Sequence, residues 1–111
     1  MSSRFDPGDL VLLTFPFTDG LAAKRRPALV LLDTGNGDIV AARVTSQPAM
    51  SEFDVPIENW EKTNLKLPSV ARRHKLVTYD KRLVARRLGR LPPGDWLRVV
   101  AVLQQLWAGV S

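Results

Sequence analysis

Three apolar runs dominate the first half of the chain, over residues 9–15, 27–33 and 39–45. Runs of this length, rich in leucine and valine and bounded by turn-forming residues, are typical of largely buried β-strands. The TGNGD segment at 34–38 predicts a tight turn, because glycine tolerates a positive φ. Pro27 has no N–H to donate to a neighbouring strand, so we expect it at the first position of the second strand. Residues 17–25 are predicted to form a loop.

The second half of the chain has shorter and more polar segments. Residues 53–57 form a short predicted strand, and Pro56 places that strand at an edge of a sheet. Residues 59–65 predict one irregular or helical turn. Alternation of apolar and polar positions predicts a further strand at 69–77, and residues 80–91 predict a short turn that feeds a last strand.

The C-terminal segment follows a different period. Apolar residues recur at steps of three and four positions between residues 95 and 107, which predicts an amphipathic helix. Pro93 suits the first turn of this helix, and Gly109 is expected just past its end. Trp96 and Trp107 belong to this helix, and we expect them to pack in a core or at an interface.

Five to seven short strands followed by one helix predict a mainly β fold, a small antiparallel barrel with a C-terminal α-helix. The 111 residues are enough for one compact core and too few for two. A single domain over residues 1–111 is therefore predicted. Because a barrel this small buries little apolar surface, we expect a homodimer that covers an edge strand or the helix.

Composition argues against several classes of protein. The chain has no cysteine and one histidine, His74, so disulfides, thiol chemistry and a conventional zinc site are not expected. No apolar run approaches the roughly 18 residues of a membrane span. The N-terminus lacks the apolar centre of a signal peptide. We therefore expect a cytoplasmic protein without a metal, a cofactor or a membrane partner.

Charge is unevenly distributed along the chain. The net charge is +5, yet residues 1–61 carry nine acidic and five basic side chains. Residues 62–90 carry ten basic side chains against Asp80 alone. This concentration of positive charge favours a polyanionic partner such as nucleic acid, whereas the simpler interpretation is a solvated basic face.

Four segments resemble the MazF/PemK family of toxins from type II toxin–antitoxin pairs, which includes the toxin Kid. They are GDLVLLTFPF at 8–17, KRRPALVLLD at 24–33, IVAARVTSQ at 39–47 and LPSVARRHKLVTYDKRLVARRLGRL at 67–91. Each segment alone is a weak signal. Together, in the family's order and spacing and followed by a helix, they make nearly the whole chain similar to that family.

The resemblance implies an SH3-like barrel that forms a homodimer and cleaves single-stranded RNA without a metal ion or a cofactor. In the family's reaction a ribose 2′-hydroxyl attacks the adjacent phosphorus, which leaves a 2′,3′-cyclic phosphate and a 5′-hydroxyl. The resemblance also implies a cognate antitoxin whose acidic, disordered tail blocks the RNA groove.

The family's catalytic motif carries over to named positions of this sequence. Its Arg-Pro pair falls on Arg26 and Pro27, and its strand-ending threonine falls on Thr45. A guanidinium binds a phosphate with two parallel hydrogen bonds and is a poor proton donor, so we assign Arg26 mainly to stabilising the transition state. Thr45 offers a hydroxyl donor to the same oxygens. Without the resemblance, Arg26 would be an exposed loop charge and Thr45 an ordinary strand residue.

Further polar residues around this pair are predicted to bind RNA. They are Lys24, Arg25, Arg43, Ser46, Gln47 and Arg72. Lys24 and Arg25 are expected to attract the neighbouring phosphates. Arg43 lies two residues before Thr45 and therefore on the same face of its strand.

His74 is the main departure from the family pattern. It stands where several relatives carry an acid, two residues after an arginine that matches Arg72, and on a regular strand these two side chains share a face. Imidazole is a reasonable replacement base, because the flanking cations disfavour its protonation. The alternative is that His74 only contacts RNA or caps the barrel.

Two other functions fit a small basic barrel. CcdB-like gyrase inhibitors share the fold but lack the catalytic arginine and threonine, so Arg26 and Thr45 favour RNA cleavage. A noncatalytic nucleic-acid-binding barrel would stack bases on surface aromatic side chains. The chain is only 7 % aromatic, and Phe17 and Phe53 are the candidates for stacking.

Overall fold

The protein is described by a computed structural model over residues 4–15, 24–48 and 53–110, with side chains for all of these except 73–75 and 110. The elements are β1 (Asp9–Phe15), β2 (Lys24–Asp33), β3 (Asp38–Thr45), β4 (Asp54–Ile57), a 3₁₀ turn (Trp60–Lys62), β5 (Ser69–Asp80), a second 3₁₀ turn (Lys81–Leu83), β6 (Val84–Arg90) and α1 (Pro93–Val110).

The six strands form one antiparallel sheet in the order β4-β5-β3-β2-β1-β6. The predicted mainly β fold with a C-terminal helix is confirmed, as is the edge position of β4. Within the described ranges, β4 and β6 each pair with one neighbour, so the sheet is open and the word barrel applies only loosely.

Several predicted boundaries are wrong by a few residues. β2 begins at Lys24 and not at Pro27, so its first residues are paired with β1 instead of lying in a loop. Pro27 is tolerated inside β2 because the ladder to β3 has its first pair at Ala28 and Arg43. β5 continues to Asp80, three residues further than predicted, and Gly109 lies inside α1.

The sheet is packed on both faces, which explains why its central strands are apolar runs rather than alternating ones. Leu10, Leu29 and Ala42 lie on one face, in a buried cluster that also includes Val99 of α1. The opposite face buries a second cluster: Phe5, Val11, Leu13, Ala28, Val30, Ile39 and Ala41. Trp96 packs against the first cluster, whereas Trp107 is 77 % exposed and belongs to neither.

The β2–β3 turn is fixed by the carboxylate of Asp33. Its oxygens accept hydrogen bonds from the N–H groups of Phe5 and Gly35, each at 2.9 Å, and Oδ1 lies 2.7 Å from the Lys81 ammonium. The turn glycines Gly35 and Gly37 have φ of 80° and 90°, as the TGNGD pattern predicts. The hydrogen bond from Lys81 is the largest contribution that lowers the pKa of Asp33 to about 2.

Asp95 joins the first turn of α1 to the chain after β4. Its buried carboxylate accepts the N–H of Glu58 at 2.8 Å and both the backbone and side-chain N–H of Asn59 at 3.1 Å. It also pairs with Arg98 one turn along the helix. A carboxylate at this position stabilises the positive end of the helix dipole.

Replacing Asp95 should therefore loosen the packing of α1. We expect Asp95→Ala to lower the free energy of unfolding by about 3 kcal/mol, because it leaves buried donors and a cation without their acceptor. Asp95→Asn keeps one acceptor oxygen and should lose less. Chemical denaturation would measure both, with the exposed Asp6→Ala as the control. A loss below about 1 kcal/mol for Asp95→Ala would contradict the role of this contact.

The Asp33 contacts predict a dependence of stability on pH. The folded-state pKa lies below the ordinary 3.8, so the contribution is fully present above about pH 4 and is lost as the pH falls through about 2. We expect the gap in unfolding free energy between native protein and Asp33→Asn, about 2 kcal/mol near neutral pH, to narrow across that window. Glu61→Gln, which removes an exposed carboxylate, is the matched control. If the difference in unfolding free energy between native protein and Asp33→Asn stays constant down to about pH 2, the predicted contribution of the Asp33 carboxylate is wrong.

Candidate functional site

Arg26, Arg43 and Thr45 lie on one face of the sheet. Leu13 is paired with Arg26 and Ala28 with Arg43, so both arginines continue the face that buries Leu13 and Ala28 further along the same strands. Thr45 is two residues beyond Arg43 in β3 and lies on the same face. The three side chains emerge where the buried cluster ends, and both arginines are exposed.

Two recesses meet at Arg26, Pro27 and Arg43. The first, the cationic groove, has a volume of about 220 Å³ and is also lined by Arg25, Thr45, Ser46, Lys66 and Ser69. The second, the aromatic recess, has a volume of about 360 Å³ and is also lined by Leu13, Phe15, Lys24 and Tyr79. The structure thus brings together Lys24, Arg25, Arg26, Arg43, Thr45 and Ser46 of the predicted residues.

The electrostatic character of these recesses is strongly positive. Their described lining includes five cations, Lys24, Arg25, Arg26, Arg43 and Lys66, and no carboxylate. Like charges held this close repel one another, so an anion that enters the recesses is bound favourably.

The Thr45 hydroxyl is oriented by the chain that follows it. Its Oγ1 accepts the backbone N–H of Gln47 at 3.2 Å, which fixes the acceptor side of the hydroxyl. The hydroxyl proton then remains available as a donor in the cationic groove. The predicted residue Gln47 is exposed and contributes this backbone contact, and it does not appear among the described lining of either recess.

Two aromatic side chains, Phe15 and Tyr79, form the floor of the aromatic recess. The rings of Phe15 and Tyr79 meet edge to face, with centroids 5.7 Å apart and an interplanar angle of 69°. Burial raises the pKa of Tyr79, and the charge of Arg43 partly offsets that increase. The Tyr79 hydroxyl is therefore a neutral hydrogen-bond donor or acceptor at ordinary pH.

Arg72 lies beside the recesses and forms an ion pair with Asp54. In the sheet Arg72 stands opposite Arg43 on one side and Asp54 on the other. Its Nε is 3.6 Å from the Oδ1 of Asp54, whose side chain is only 1 % exposed. The carboxylate offsets the repulsion between two arginines that face each other across neighbouring strands.

The β3–β5 ladder is interrupted next to Arg72. Ala42 pairs with Leu76 and the next residue, Arg43, pairs with Arg72, so residues 73–75 form a bulge with no partner in β3. The side chain of His74 lies outside the described part of the structure, as does Phe17. The bulge removes the regular alternation that would place Arg72 and His74 on one face, and the role of His74 stays a prediction.

Sequence reasoning missed Lys66, Ser69, Tyr79 and Asp54. Lys66 belongs to the basic segment, but nothing in its LKLP context indicates that it lines a groove. Tyr79 lies beyond the predicted end of β5, and Asp54 approaches Arg72 only through the pairing of β4 with β5. Each of these contacts depends on long-range pairing.

The described residues contain neither a side-chain cluster suited to a metal ion nor a helix suited to crossing a membrane. No three His, Cys, Asp or Glu side chains there form a group that could hold a metal ion. None of the helices found there is long and apolar enough to cross a membrane.

Comparisons with known proteins agree with the fold and the motifs. The family described as PemK-like, MazF-like toxin of type II toxin-antitoxin system matches residues 6–107. A MazE–MazF structure from Deinococcus radiodurans is 27 % identical, with coverage of 93 % of this chain and 95 % of that one and a TM-score of 0.73. A MazF structure from the same organism is 26 % identical, with coverage of 96 % and 99 % and a TM-score of 0.71.

A more distant structure shares the fold alone. It is an endoribonuclease from a mycobacterial species, 17 % identical, with coverage of 92 % and 89 % and a TM-score of 0.69. No curated protein sequence matches the chain significantly. Since the family match spans most of the chain, the protein belongs to the PemK-like, MazF-like toxins of type II toxin–antitoxin systems.

Proposed function

We propose that this protein is a toxin that cleaves single-stranded RNA endonucleolytically, with no need for a metal ion. The observation that carries the proposal is the convergence of Arg26, Arg43 and Thr45 on one sheet face, between two recesses lined by five cations and, among described residues, no carboxylate. This lining suits a phosphodiester, which is an anion with hydrogen-bond acceptors on every side.

The proposed reaction is an internal transfer of the phosphoryl group. The ribose 2′-oxygen forms a bond to the adjacent phosphorus while the bond from phosphorus to the 5′-oxygen breaks. The products are a 2′,3′-cyclic phosphate and a 5′-hydroxyl. Arg26 binds the nonbridging oxygens, whose negative charge increases in the transition state, and the Thr45 hydroxyl donates to one of them.

Two protons must move in this reaction. One leaves the 2′-hydroxyl as it attacks, and one reaches the departing 5′-oxygen. His74 is the candidate base from the sequence, and its backbone lies in the bulge that begins one residue after Arg72. A neutral imidazole accepts the proton from the 2′-hydroxyl. The imidazolium that forms then donates a proton to the departing 5′-oxygen.

We also propose two protein partners for this chain, a cognate antitoxin and a second copy of itself. The cations of the two recesses also suit the acidic, disordered tail of a cognate antitoxin, which would compete with RNA for them.

Large exposed apolar side chains support a homodimer, and they include Leu32 at 53 %, Leu97 at 68 % and Trp107 at 77 % exposure. We propose that the protein acts in the cytoplasm, where its RNA substrate is found.

Arg26 provides the first test of the activity. We expect the native protein to cut a mixed-sequence RNA in EDTA and to leave cyclic phosphate ends, detected by mass spectrometry. Arg26→Ala should lower the rate constant of cleavage by about 10²- to 10³-fold. RNA affinity should fall only modestly, since Lys24, Arg25 and Arg43 still bind the backbone.

The control is Arg82→Ala, because the Arg82 side chain is 90 % exposed and lines neither recess. It should cleave like the native protein. Intact RNA with the native protein, together with inhibition of gyrase, would refute the proposal in favour of a protein-targeting toxin. An equal loss of binding and cleavage in Arg26→Ala would make Arg26 a docking residue.

Thr45 tests the contribution of the hydroxyl. Thr45→Val keeps the branched shape and the strand, removes the donor, and should slow cleavage by about tenfold or more. Thr45→Ser keeps the hydroxyl and should retain most of the activity. Single-turnover cleavage of one oligonucleotide would measure the rates of Thr45→Val and Thr45→Ser. If these two rates are equal, the hydroxyl takes no part in the reaction.

A further inference from the structure

The cationic groove has a second wall that no catalytic motif contributes. Residues 65–67 line the groove opposite the ends of β2 and β3, and Lys66 is the cation of this wall. Lys66 is exposed, and no carboxylate of the described residues lies within ion-pair distance of it. Its charge is thus directed to the groove and the solvent around it.

This wall is held by hydrogen bonds on both sides of Lys66. The hydroxyl of Thr63 donates to the Trp60 carbonyl at 2.6 Å and accepts the N–H of Leu65 at 3.1 Å. The hydroxyl of Ser69 donates to the Leu67 carbonyl at 2.8 Å. Leu65 also packs against the buried cluster beneath α1. A segment fixed in this way presents Lys66 at a defined position.

The cations of the two recesses are arranged in sequence across the site. Lys66 and Arg25 line only the cationic groove, Arg26 and Arg43 line both recesses, and Lys24 lines only the aromatic recess. Five positive charges exceed the single charge of one phosphodiester, so they suit several consecutive phosphates. The phosphate at Arg26 is then the central one.

We propose that single-stranded RNA crosses the site from the 65–67 wall to the aromatic recess, and that Lys66 binds a phosphate on one side of the cleaved bond. This inference rests on the proposed function and adds the path of the substrate. On the other side, Lys24 binds the backbone, and the Phe15–Tyr79 floor offers an apolar surface to the adjoining base.

The first experiment compares Lys66→Ala with Lys62→Ala. Both lysines are exposed, but Lys62 belongs to the 3₁₀ turn and does not line the groove. With an oligoribonucleotide that contains the preferred cleavage sequence, Lys66→Ala should raise KM roughly two- to fivefold and leave kcat unchanged. In a plot of log KM against log salt concentration, the slope for Lys66→Ala should be smaller than that of the native protein by about 0.7. This is the value for one phosphate contact in a single strand. Lys62→Ala should match the native protein.

The second experiment tests the direction of the path with shortened substrates. Removing the nucleotides on one side of the cleaved bond should abolish the effect of Lys66→Ala on KM. Removing those on the other side should abolish the effect of Lys24→Ala. If the same truncation abolishes both effects, or neither truncation changes them, the proposed path is wrong.

These outcomes are separate from the fate of the proposed function. If the native protein neither cleaves nor binds RNA, the proposed function fails first. If it cleaves RNA and Lys66→Ala behaves like Lys62→Ala, only the path across the 65–67 wall is overturned. A fall in kcat with KM unchanged would overturn it as well, because Lys66 would then act on the reacting phosphate.

Discussion

The register between β2 and β3 is the constraint on which the candidate site depends. It pairs Ala28 with Arg43 and so places Arg26, Arg43 and Thr45 on one face. A shift of one residue would send one strand's cations to the side covered by α1. Because both faces of these strands are apolar, the hydrophobic pattern alone specifies the register weakly. The 34–38 turn fixes the pairing next to it, through the hydrogen bonds from the Thr34 N–H and hydroxyl to the Asp38 carbonyl, at 3.1 and 3.0 Å. An irregularity between Val30 and Leu32 then shifts the register by one residue, and this shifted register continues to the pair of Ala28 with Arg43.

The concentration of like charges at the site lowers the stability of the folded protein. Arg43 and Arg72 face each other across neighbouring strands, which destabilises a sheet. The buried carboxylate of Asp54 offsets this on the far side of Arg72, away from the recesses. The described lining of the recesses contains five cations and no carboxylate, and like charges repel one another. A fold that tolerates this arrangement gives up some stability for the binding of an anion.

The sequence predicts the parts of the fold that follow from local pattern, and misses those that depend on pairing. The buried runs of β1 to β3 and the stripe of α1 were predictable because burial leaves a periodic signal. β2 begins at three cations that lie beyond the core. Because these residues are not apolar, the hydrophobic pattern does not predict that they belong to the strand. The placement of Arg26, Arg43 and Thr45 on one face follows from the two-residue period, but Lys66 and Tyr79 reach the site through connections that local pattern does not encode. The two-residue alternation of side chains along a strand does not predict the bulge at 73–75.

The position of Pro27 explains in physical terms why an arginine and a proline occur together at this site. β2 pairs with β1 from Lys24 to Leu29, whereas its ladder to β3 begins only at Ala28. Proline has no N–H with which to extend that ladder, so it favours the separation of the two strands at this point. The separation coincides with the place where the cationic groove and the aromatic recess meet, and Pro27 lines both. Arg26, one residue earlier, is still held by its pairing with β1 opposite Leu13. The arginine thus lies on a paired strand at the edge of an opening, so its charged side chain is both well positioned and accessible to an anion.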